Sequence, residues 1–222
     1  MKLQLIALDG PVAVGKSSVG LLLAKRLGYV FFDTGMMYRA FTWKVLKLGI
    51  PLEDKNALSQ LANTTKFDFT PSQNGYLCPI IDGQDVSSEL LHPAIEERVS
   101  LISKVAEVRQ ALILEQRKLA QRGKVIMAGR DISTVVLPWA ALKIFLTAST
   151  EERARRRYQE LLGRKENLSF EIVLADLKKR DDMDIHRTIS PLKPADDAII
   201  INTENSSLEQ VVNKICALAQ NQ

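Results

Sequence analysis

The sequence predicts an α/β fold in which a parallel five-stranded sheet is flanked by helices on both faces. Five short apolar runs have the length of buried strands, and they lie at residues 3–8, 29–32, 125–127, 142–146 and 198–201. Helical patterns alternate with them at residues 17–27, 35–48, 93–122 (with a break near 104), 150–162, 170–179 and 208–220. Such alternation is typical of a parallel sheet, and 222 residues suit one large domain.

The first strand leads into the stretch GPVAVGKSS, residues 10–18, which has the G-x-x-x-x-G-K-S spacing of a P-loop. Glycines let successive backbone N–H groups point at one centre, and the helix that follows directs its unpaired amides to the same place. Lys16 adds positive charge for the β- and γ-phosphates, and the Ser17 hydroxyl suits Mg²⁺. The loop is predicted to bind a nucleoside triphosphate with Mg²⁺. A Gly-Pro turn that merely precedes a helix is the competing interpretation.

The second strand ends in DTGMMYRA, residues 33–40. Asp33 stands where the carboxyl ends of parallel strands meet a ligand crevice, and Arg39 follows on a helix from which it can turn back toward that crevice. An ordinary helix N-cap is the simpler explanation of Asp33.

The stretch from Lys66 to Glu89 interrupts the alternation of strands and helices. Its apolar residues alternate around Asn74-Gly75 and Asp82-Gly83, and both dipeptides are hairpin signals. We therefore predict a three-stranded antiparallel insert at about residues 66–87, within a core formed by residues 1–60 and 91–222.

Three later segments concentrate charge. Arg130 and Asp131 leave the third strand in MAGRDISTVVLP, where a turn with a salt-bridged pair is the simpler interpretation. Arginines dominate EERARRRYQELLGRKE, residues 151–166, which suits a lid over phosphates, although alternating charges are also typical of a solvated helix face. The segment KKRDDMDIHRTISPLKPADDA carries Arg180, Asp184 and Arg187 at spacings that would also allow ion pairs within one helix.

Composition excludes several classes of function. The net charge is +4 and the pI is about 9.0, but basic residues are interleaved with acidic ones, so we expect no nucleic-acid partner. Cys78 and Cys216 lack metal-site spacing, and neither His92 nor His186 has the partners of a nucleophilic site. Since neither a leader pattern nor an 18-residue apolar run is present, we expect a cytoplasmic protein without membrane contact.

Together, these motifs resemble the bacterial cytidylate kinases, which are nucleoside monophosphate kinases of the P-loop class, over nearly the whole chain. GRD-x-x-TVVLP and the later RD-x-x-D-x-x-R-x-x-SPL are the most specific pieces. The resemblance implies a P-loop NTPase fold, a lid at about residues 151–180, and an insert on the monophosphate side. It further implies transfer of a phosphoryl group from ATP to CMP or dCMP with Mg²⁺, by a protein that we expect to be monomeric.

The resemblance also implies roles for individual residues. The catalytic set would be Lys16, Arg39, Arg130, Arg187 and Asp33. The ATP phosphates would be held by Gly10, Pro11, Val12, Ala13, Val14, Gly15, Lys16, Ser17 and Ser18, with Arg156 and Arg157. The run from Arg153 to Arg157 would lead the lid that closes over ATP. The acceptor would contact Thr34, Arg39, Ser100, Arg109, Arg130, Asp131, Arg180, Asp184 and Arg187. Within that set, Arg39, Arg130 and Arg187 would hold the phosphate, Asp184 the sugar, and Ser100, Arg109 and Asp131 the cytosine. Mg²⁺ would be held by Ser17 and, through water, by Asp33.

This chain departs from the family pattern at three positions. Ala128 stands where an acid usually precedes the GRD glycine, Ser133 where glycine is usual, and Trp139 where aspartate is usual. The missing acid at 128 is the departure that could affect the chemistry, so we expect Asp33 and Asp131 to supply the carboxylates that Mg²⁺ and substrate require.

Other functions remain open at the level of sequence. A uridylate, adenylate or shikimate kinase would share the strand, the loop and the lid, although the chain has no Gly-Gly for a shikimate-type acceptor loop. A regulatory GTPase should carry N-K-x-D, which is absent. A non-catalytic nucleotide-binding module would have no need to retain Arg39, Arg130 and Arg187.

Overall fold

A computed structural model describes residues 5–72, 75–164 and 168–220. Its main sheet consists of β1 (Leu5–Asp9), β2 (Val30–Asp33), β6 (Val125–Gly129), β7 (Leu142–Thr147) and β8 (Ile199–Asn202). These five strands are parallel and lie in the order β2-β6-β1-β7-β8. The predicted parallel sheet is confirmed, and each strand begins and ends within two residues of its predicted bounds.

Helices cover both faces of this sheet because alternate residues of each strand point to opposite sides. They are α1 (Lys16–Leu27), α2 (Thr34–Lys47), α3 (Lys55–Thr64), α4 (Pro93–Ile102), α5 (Ala106–Ala120), α6 (Thr150–Gly163), α7 (Phe170–Ile185) and α8 (Leu208–Gln220). In β6, Val125 and Met127 join an apolar cluster with α2, α3 and α5, whereas Ile126 and Ala128 join one with α1 and α8. The sheet is thus buried on both sides. No helix in the described ranges combines the length and the hydropathy that crossing a bilayer requires.

The predicted antiparallel insert is present as the strands β3 (Phe67–Pro71), β4 (Leu77–Ile81) and β5 (Gln84–Asp85). Asp82 and Gly83 both have positive φ, as the predicted two-residue turn requires, whereas Asn74 of the other predicted turn lies outside the described residues. A single parallel bridge joins Tyr76 of the insert to Phe31 of β2, and the two rings meet edge to face at 5.7 Å. The insert therefore contacts the strand that ends at Asp33.

Three elements differ from the sequence prediction. Helix α3 was not predicted, because it is rich in Asn, Ser and Thr and buries only Leu58 and Ala62. Helix α7 continues to Ile185 instead of ending at 179, so the charged run KKRDDMD is helical. A short π-helical turn, Ile132–Val136, follows Asp131 where the pattern indicated only a turn. The predicted break near Lys104 is confirmed between α4 and α5.

Candidate active site

The predicted acceptor residues converge on one cavity at the carboxyl ends of β1, β2 and β6, where parallel sheets commonly bind ligands. The cavity has a volume of about 200 Å³. Its lining includes all nine of them, namely Thr34, Arg39, Ser100, Arg109, Arg130, Asp131, Arg180, Asp184 and Arg187. Lys16, Ser17, Asp33, Val12 and Ala13 also line it, so the P-loop and the acceptor residues share one space. The remaining loop residues, Gly10, Pro11, Val14, Gly15 and Ser18, lie outside this lining.

The geometry of the P-loop explains why glycine stands at position 10. At Gly10, φ is +149°, and a Cβ atom there would lie 2.4 Å from the carbonyl oxygen of Leu146. Lys16 is buried, and its Nζ donates to the carbonyl oxygens of Gly10 at 2.8 Å and Pro11 at 2.6 Å. Burial lowers the pKa of Lys16 well below its usual value of 10.5, and the positive charge of Arg130 lowers it further. An anion bound beside Lys16 would therefore stabilise a charge that the cavity itself disfavours.

Ser17 and Asp33 form an oxygen pair at the mouth of the loop. The Ser17 Oγ donates to Oδ2 of Asp33 at 2.8 Å. Oδ1 of Asp33 accepts from the backbone N–H of Gly35 at 2.9 Å, so Asp33 also caps α2, as its simpler interpretation predicted. Hydroxyl and carboxylate oxygens are donors that Mg²⁺ prefers, and Mg²⁺ usually takes few protein ligands alongside waters and phosphates. The donor set therefore fits that ion.

The arginines of the cavity leave hydrogen-bonding capacity unused. Six basic side chains line the cavity against three acidic ones. Among the described residues, Arg39 Nε and Arg187 Nη2 are buried without a hydrogen-bond partner. Burial lowers the pKa of both Arg39 and Arg187. Buried donors without acceptors are costly, and a bound phosphate would supply the missing acceptor oxygens.

A second group of side chains forms a more enclosed polar corner. Arg109 and Asp131 are both buried and form an ion pair. Nη1 of Arg109 donates to the carbonyl oxygen of Ser103 at 3.2 Å, while its Nε is buried without a partner in the described ranges. The guanidinium lies 5.7 Å from the ring centre of Tyr38, whose pKa burial raises to about 12. This corner offers fixed donors and acceptors to a polar ring.

The charged residues near the end of α7 pair across the cavity. Arg130 Nε donates to Oδ2 of Asp184 at 2.7 Å, and Arg187 Nη2 lies 3.5 Å from Oδ1 of Asp131. Arg180 pairs with Asp176 instead of Asp184. The alternative that Arg180, Asp184 and Arg187 pair only with one another on a surface helix is therefore wrong.

The two lid arginines assigned to ATP lie outside this cavity. Arg156 donates from Nη1 to Oγ of Thr203 at 2.9 Å and from Nη2 to the carbonyl oxygen of Thr203 at 2.9 Å. Arg157 Nη2 donates to Oε2 of Glu96 on α4 at 2.7 Å. Arg157 lines a neighbouring cavity of about 410 Å³, which shares Val12, Ser100 and Arg180 with the first. Lys165, the last basic residue of the predicted lid cluster, lies outside the described residues.

Sequence reasoning missed Asp9. This residue ends β1, is fully buried, and accepts hydrogen bonds from the backbone N–H groups of Ile132 and Ser133, each at 2.7 Å. Burial raises the pKa of Asp9, although these hydrogen bonds oppose the effect. Asp9 thus fixes the turn that carries Arg130 and Asp131. The available signal was an acid at the end of a buried strand, immediately before the first glycine of the loop.

The three departures from the family pattern lie in different surroundings. Ala128 is fully buried, and its carbonyl oxygen accepts from Oγ of Thr34 at 2.9 Å. Ser133 adds a hydroxyl that donates to Asp9. Trp139 is 57% exposed, with the guanidinium of Arg117 5.2 Å from its ring centre. Of the three, only Ala128 and Ser133 lie near the cavity lining.

Comparison with known proteins agrees with this geometry. A family model described as cytidylate kinase matches residues 6–221. The cytidylate kinase of Caldanaerobacter subterraneus subsp. tengcongensis is 46% identical over 210 residues, which are 95% of this chain and 92% of that protein. The cytidylate kinase of Pelotomaculum thermopropionicum is 45% identical over 212 residues, or 96% of this chain and 94% of that protein.

A solved gluconokinase from Sinorhizobium meliloti superposes with a TM-score of 0.52 at 15% identity, covering 100% of this chain and 97% of that one. It shows the shared fold alone. The sequence matches do not favour a uridylate, adenylate or shikimate kinase, a GTPase or a non-catalytic module. The chain belongs to the cytidylate kinase family.

Proposed function

We propose that this protein transfers the γ-phosphoryl group of ATP to the phosphate of CMP or dCMP, forming ADP and CDP or dCDP. The observation that carries the proposal is the shared cavity. The nine residues that the family resemblance assigns to the acceptor line the same space as Lys16 and Ser17 of the P-loop. Donor and acceptor phosphates bound to these two groups would lie side by side, which is what a direct transfer requires.

Lys16 would act on the transferred group. Its Nζ is held at the start of the loop by the carbonyl oxygens of Gly10 and Pro11, within reach of phosphates cradled by residues 10–18. Phosphoryl transfer passes through a loose transition state, so positive charge and positioning contribute more than a strong base. The cavity suits that requirement, since its basic side chains outnumber its acidic ones.

Arg39, Arg130 and Arg187 would bind the acceptor phosphate. The unused donors of Arg39 and Arg187 support this role, because a phosphate would satisfy both. Arg130 is oriented by Asp184, whose carboxylate would also be available to the sugar hydroxyls. Arg180 lines the cavity from α7, at the end of the lid.

Ser100, Arg109 and Asp131 would read the cytosine base. A site whose buried polar groups pair with one base discriminates strongly, since a wrong base leaves those groups unpaired. The unpartnered Nε of Arg109 supports this assignment, because a ring acceptor would complete its hydrogen bonding. Ile81 of the insert (residues 66–87) packs in one apolar cluster with Ala40 of α2, the neighbour of Arg39, and we assign the insert to the acceptor half.

Ser17 and Asp33 would hold Mg²⁺, Ser17 directly and Asp33 through water. When bound, the ion supplies positive charge that offsets the charge on the phosphate oxygens of ATP. The hydrogen bond between Ser17 and Asp33 supports this role because it brings two suitable oxygens together without a metal. Arg156 and Arg157 would complete the ATP side when the lid closes and excludes water.

A coupled assay of ADP release tests the proposal, with CMP, dCMP, UMP, AMP and shikimate as separate acceptors. We expect CMP and dCMP to be the best acceptors, and we expect activity to depend on Mg²⁺. Phosphorylation of AMP as fast as CMP, or no transfer to any acceptor, would refute the assignment. We further propose a cytoplasmic monomer that acts on small molecules, and light scattering coupled to gel filtration tests the monomer.

A further inference from the structure

Glu96 lies between the lid and the acceptor side of the site. It stands in the first turn of α4, and 14% of its side chain is exposed. Its Oε2 accepts a hydrogen bond from Arg157 on α6 at 2.7 Å. Its Oε1 lies 4.0 Å from a guanidinium nitrogen of Arg39 and 4.0 Å from one of Arg164. A single carboxylate therefore faces arginines from both sides of the cleft.

This carboxylate stands on the wall between the two cavities. Arg39 lines the first cavity, Arg157 and Glu96 line the second, and Ser100, one turn further along α4, lines both. Carboxylate and phosphate oxygens compete for the same guanidinium donors, because both match the planar fork of arginine. Glu96 is thus an internal competitor of bound phosphate.

Of the two carboxylate oxygens of Glu96, only one accepts a hydrogen bond from the part of the chain that the structure describes, so phosphate can compete with Glu96 for the arginines. Its Oε1 is buried and makes no hydrogen bond within the described ranges. A buried polar atom without a partner reduces the stability of the arrangement that contains it. A phosphate that offers more acceptor oxygens can therefore displace Glu96 from the arginines.

We propose that Glu96 is a positioning residue that holds Arg157 of the lid against α4 until nucleotides bind. The proposal rests on the proposed function, because it assigns Arg157 to the phosphates of ATP. Molecules in which Glu96 binds Arg157 cannot close the lid. Only the remaining fraction is competent to bind ATP fully, and the apparent affinity for ATP is reduced in proportion to that fraction.

The substitution Glu96→Gln tests the proposal, because it removes the charge and keeps the shape of the side chain. We expect the Kd of a non-hydrolysable ATP analogue, measured by isothermal titration calorimetry, to fall about threefold to tenfold. Glu97→Gln is the matched control. Glu97 is the adjacent residue, its side chain is 70% exposed, and it pairs with Arg98. We expect no change in Kd for this control.

A double-mutant cycle with Arg157→Gln shows whether Glu96 acts through the lid. In that background, Glu96→Gln should leave the Kd unchanged. A Kd that stays constant or rises in the single variant would overturn the proposal, as would an equal fall in both backgrounds. Glu96→Ser serves as the second charge-free variant if the glutamine variant does not fold. Equilibrium binding requires no turnover, so a protein that binds the analogue but does not phosphorylate CMP would refute the proposed function separately.

Discussion

Arg153 and Asp181 form a buried, two-pronged ion pair that joins the two helices of the lid. Nη2 of Arg153 lies 2.7 Å from Oδ2 of Asp181, and its Nη1 lies 3.1 Å from Oδ1. The same Nη1 is 3.2 Å from the carbonyl oxygen of Val12 in the P-loop. The donors of Arg153 thus tie α6 to α7 and to the loop, and its expected place at the start of the lid over ATP stays a prediction.

We expect Asp181→Ala to destabilise the protein. The substitution leaves the guanidinium of Arg153, only 4% exposed, without its counter-ion, and breaking such a buried pair costs about 3–5 kcal/mol. Thermal unfolding followed by circular dichroism should show a lower Tm. Asp182→Ala is the control, since Asp182 is 73% exposed and pairs only with exposed His186 among the described residues. Equal Tm values for the two variants would contradict the prediction.

Lys16→Ala should lower kcat far more than it changes the KM for CMP. Lys16 faces charge that develops on the transferred phosphoryl group, and losing one such contact costs roughly 3–4 kcal/mol. Steady-state kinetics with saturating ATP provide the measurement. A variant whose kcat stays within tenfold of the wild-type value would show that Lys16 has another role.

ATP binding should take up a proton at alkaline pH. Burial holds the pKa of Lys16 well below 10.5 in the free protein, and phosphate oxygens would restore its charged form. Calorimetry at a pH between the lowered pKa and 10.5, in two buffers of different ionisation enthalpy, measures this proton directly. Lys16→Met should abolish the uptake, and equal heats in both buffers with the wild type would contradict the prediction.

The same pKa shift fixes the sign of a stability effect in the free protein. The unfolded chain binds the Lys16 proton more tightly than the folded one. The contribution of this group to the free energy of unfolding therefore rises as the pH increases from the lowered pKa toward 10.5. Lys16→Met should remove that pH dependence.

Arg109→Met should weaken the preference for cytosine. Arg109 is buried with Asp131, and methionine carries no hydrogen-bond donor, so both the base and Asp131 would lose a partner. The ratio of kcat/KM for CMP to that for UMP should fall at least about tenfold, near 1.4 kcal/mol. Arg117→Met is the control, since Arg117 contacts the π-helical turn from outside the cavity. An unchanged ratio for Arg109→Met would remove Arg109 from base recognition.

Asp33→Ala should lower kcat/KM by at least about tenfold, near 1.4 kcal/mol, and should raise the Mg²⁺ concentration needed for half-maximal activity. The reason is the loss of the carboxylate that faces Ser17. A Mg²⁺ titration of both proteins provides the test. Indistinguishable Mg²⁺ curves would show that Asp33 serves only as the cap of α2.

Ala128→Asp should change activity far less than Asp33→Ala. The methyl group of Ala128 lies in the apolar cluster with α1 and α8, so an aspartate there would be buried, which raises its pKa and lowers stability. An inactive wild type rescued by Ala128→Asp would instead show that the missing acid decides function.

The sequence was informative where local chemistry determines structure. A buried strand, the glycines of the loop and the helix that follows all require particular residue types at fixed spacing, so the P-loop and the five parallel strands could be predicted. The acceptor residues could be assigned only through the family resemblance. Their spacing alone also allowed ion pairs within one helix, and only the fold brings Arg130 to Asp184.

Other features depend on contacts between distant segments and leave little local signal. Helix α3 is polar, and its amphipathic pattern is short. The contact between Glu96 and Arg157 joins residues 61 positions apart, and either side chain on its own matches an exposed helix surface. From the sequence, Asp9 is only the polar end of a strand. Its role depends on the fold, which brings the amides of residues 132 and 133 to its carboxylate.

The carboxylate of Asp9 has a consequence for how the protein opens locally. The amides of Ile132 and Ser133 donate to a side chain of the central strand, which should slow their exchange with solvent. Asp9 directly precedes Gly10 of the P-loop. The turn at residues 130–133 therefore cannot open without disturbing the strand that carries the P-loop. We therefore expect the two loops to open together, so that hydrogen exchange should give their amides matching protection factors.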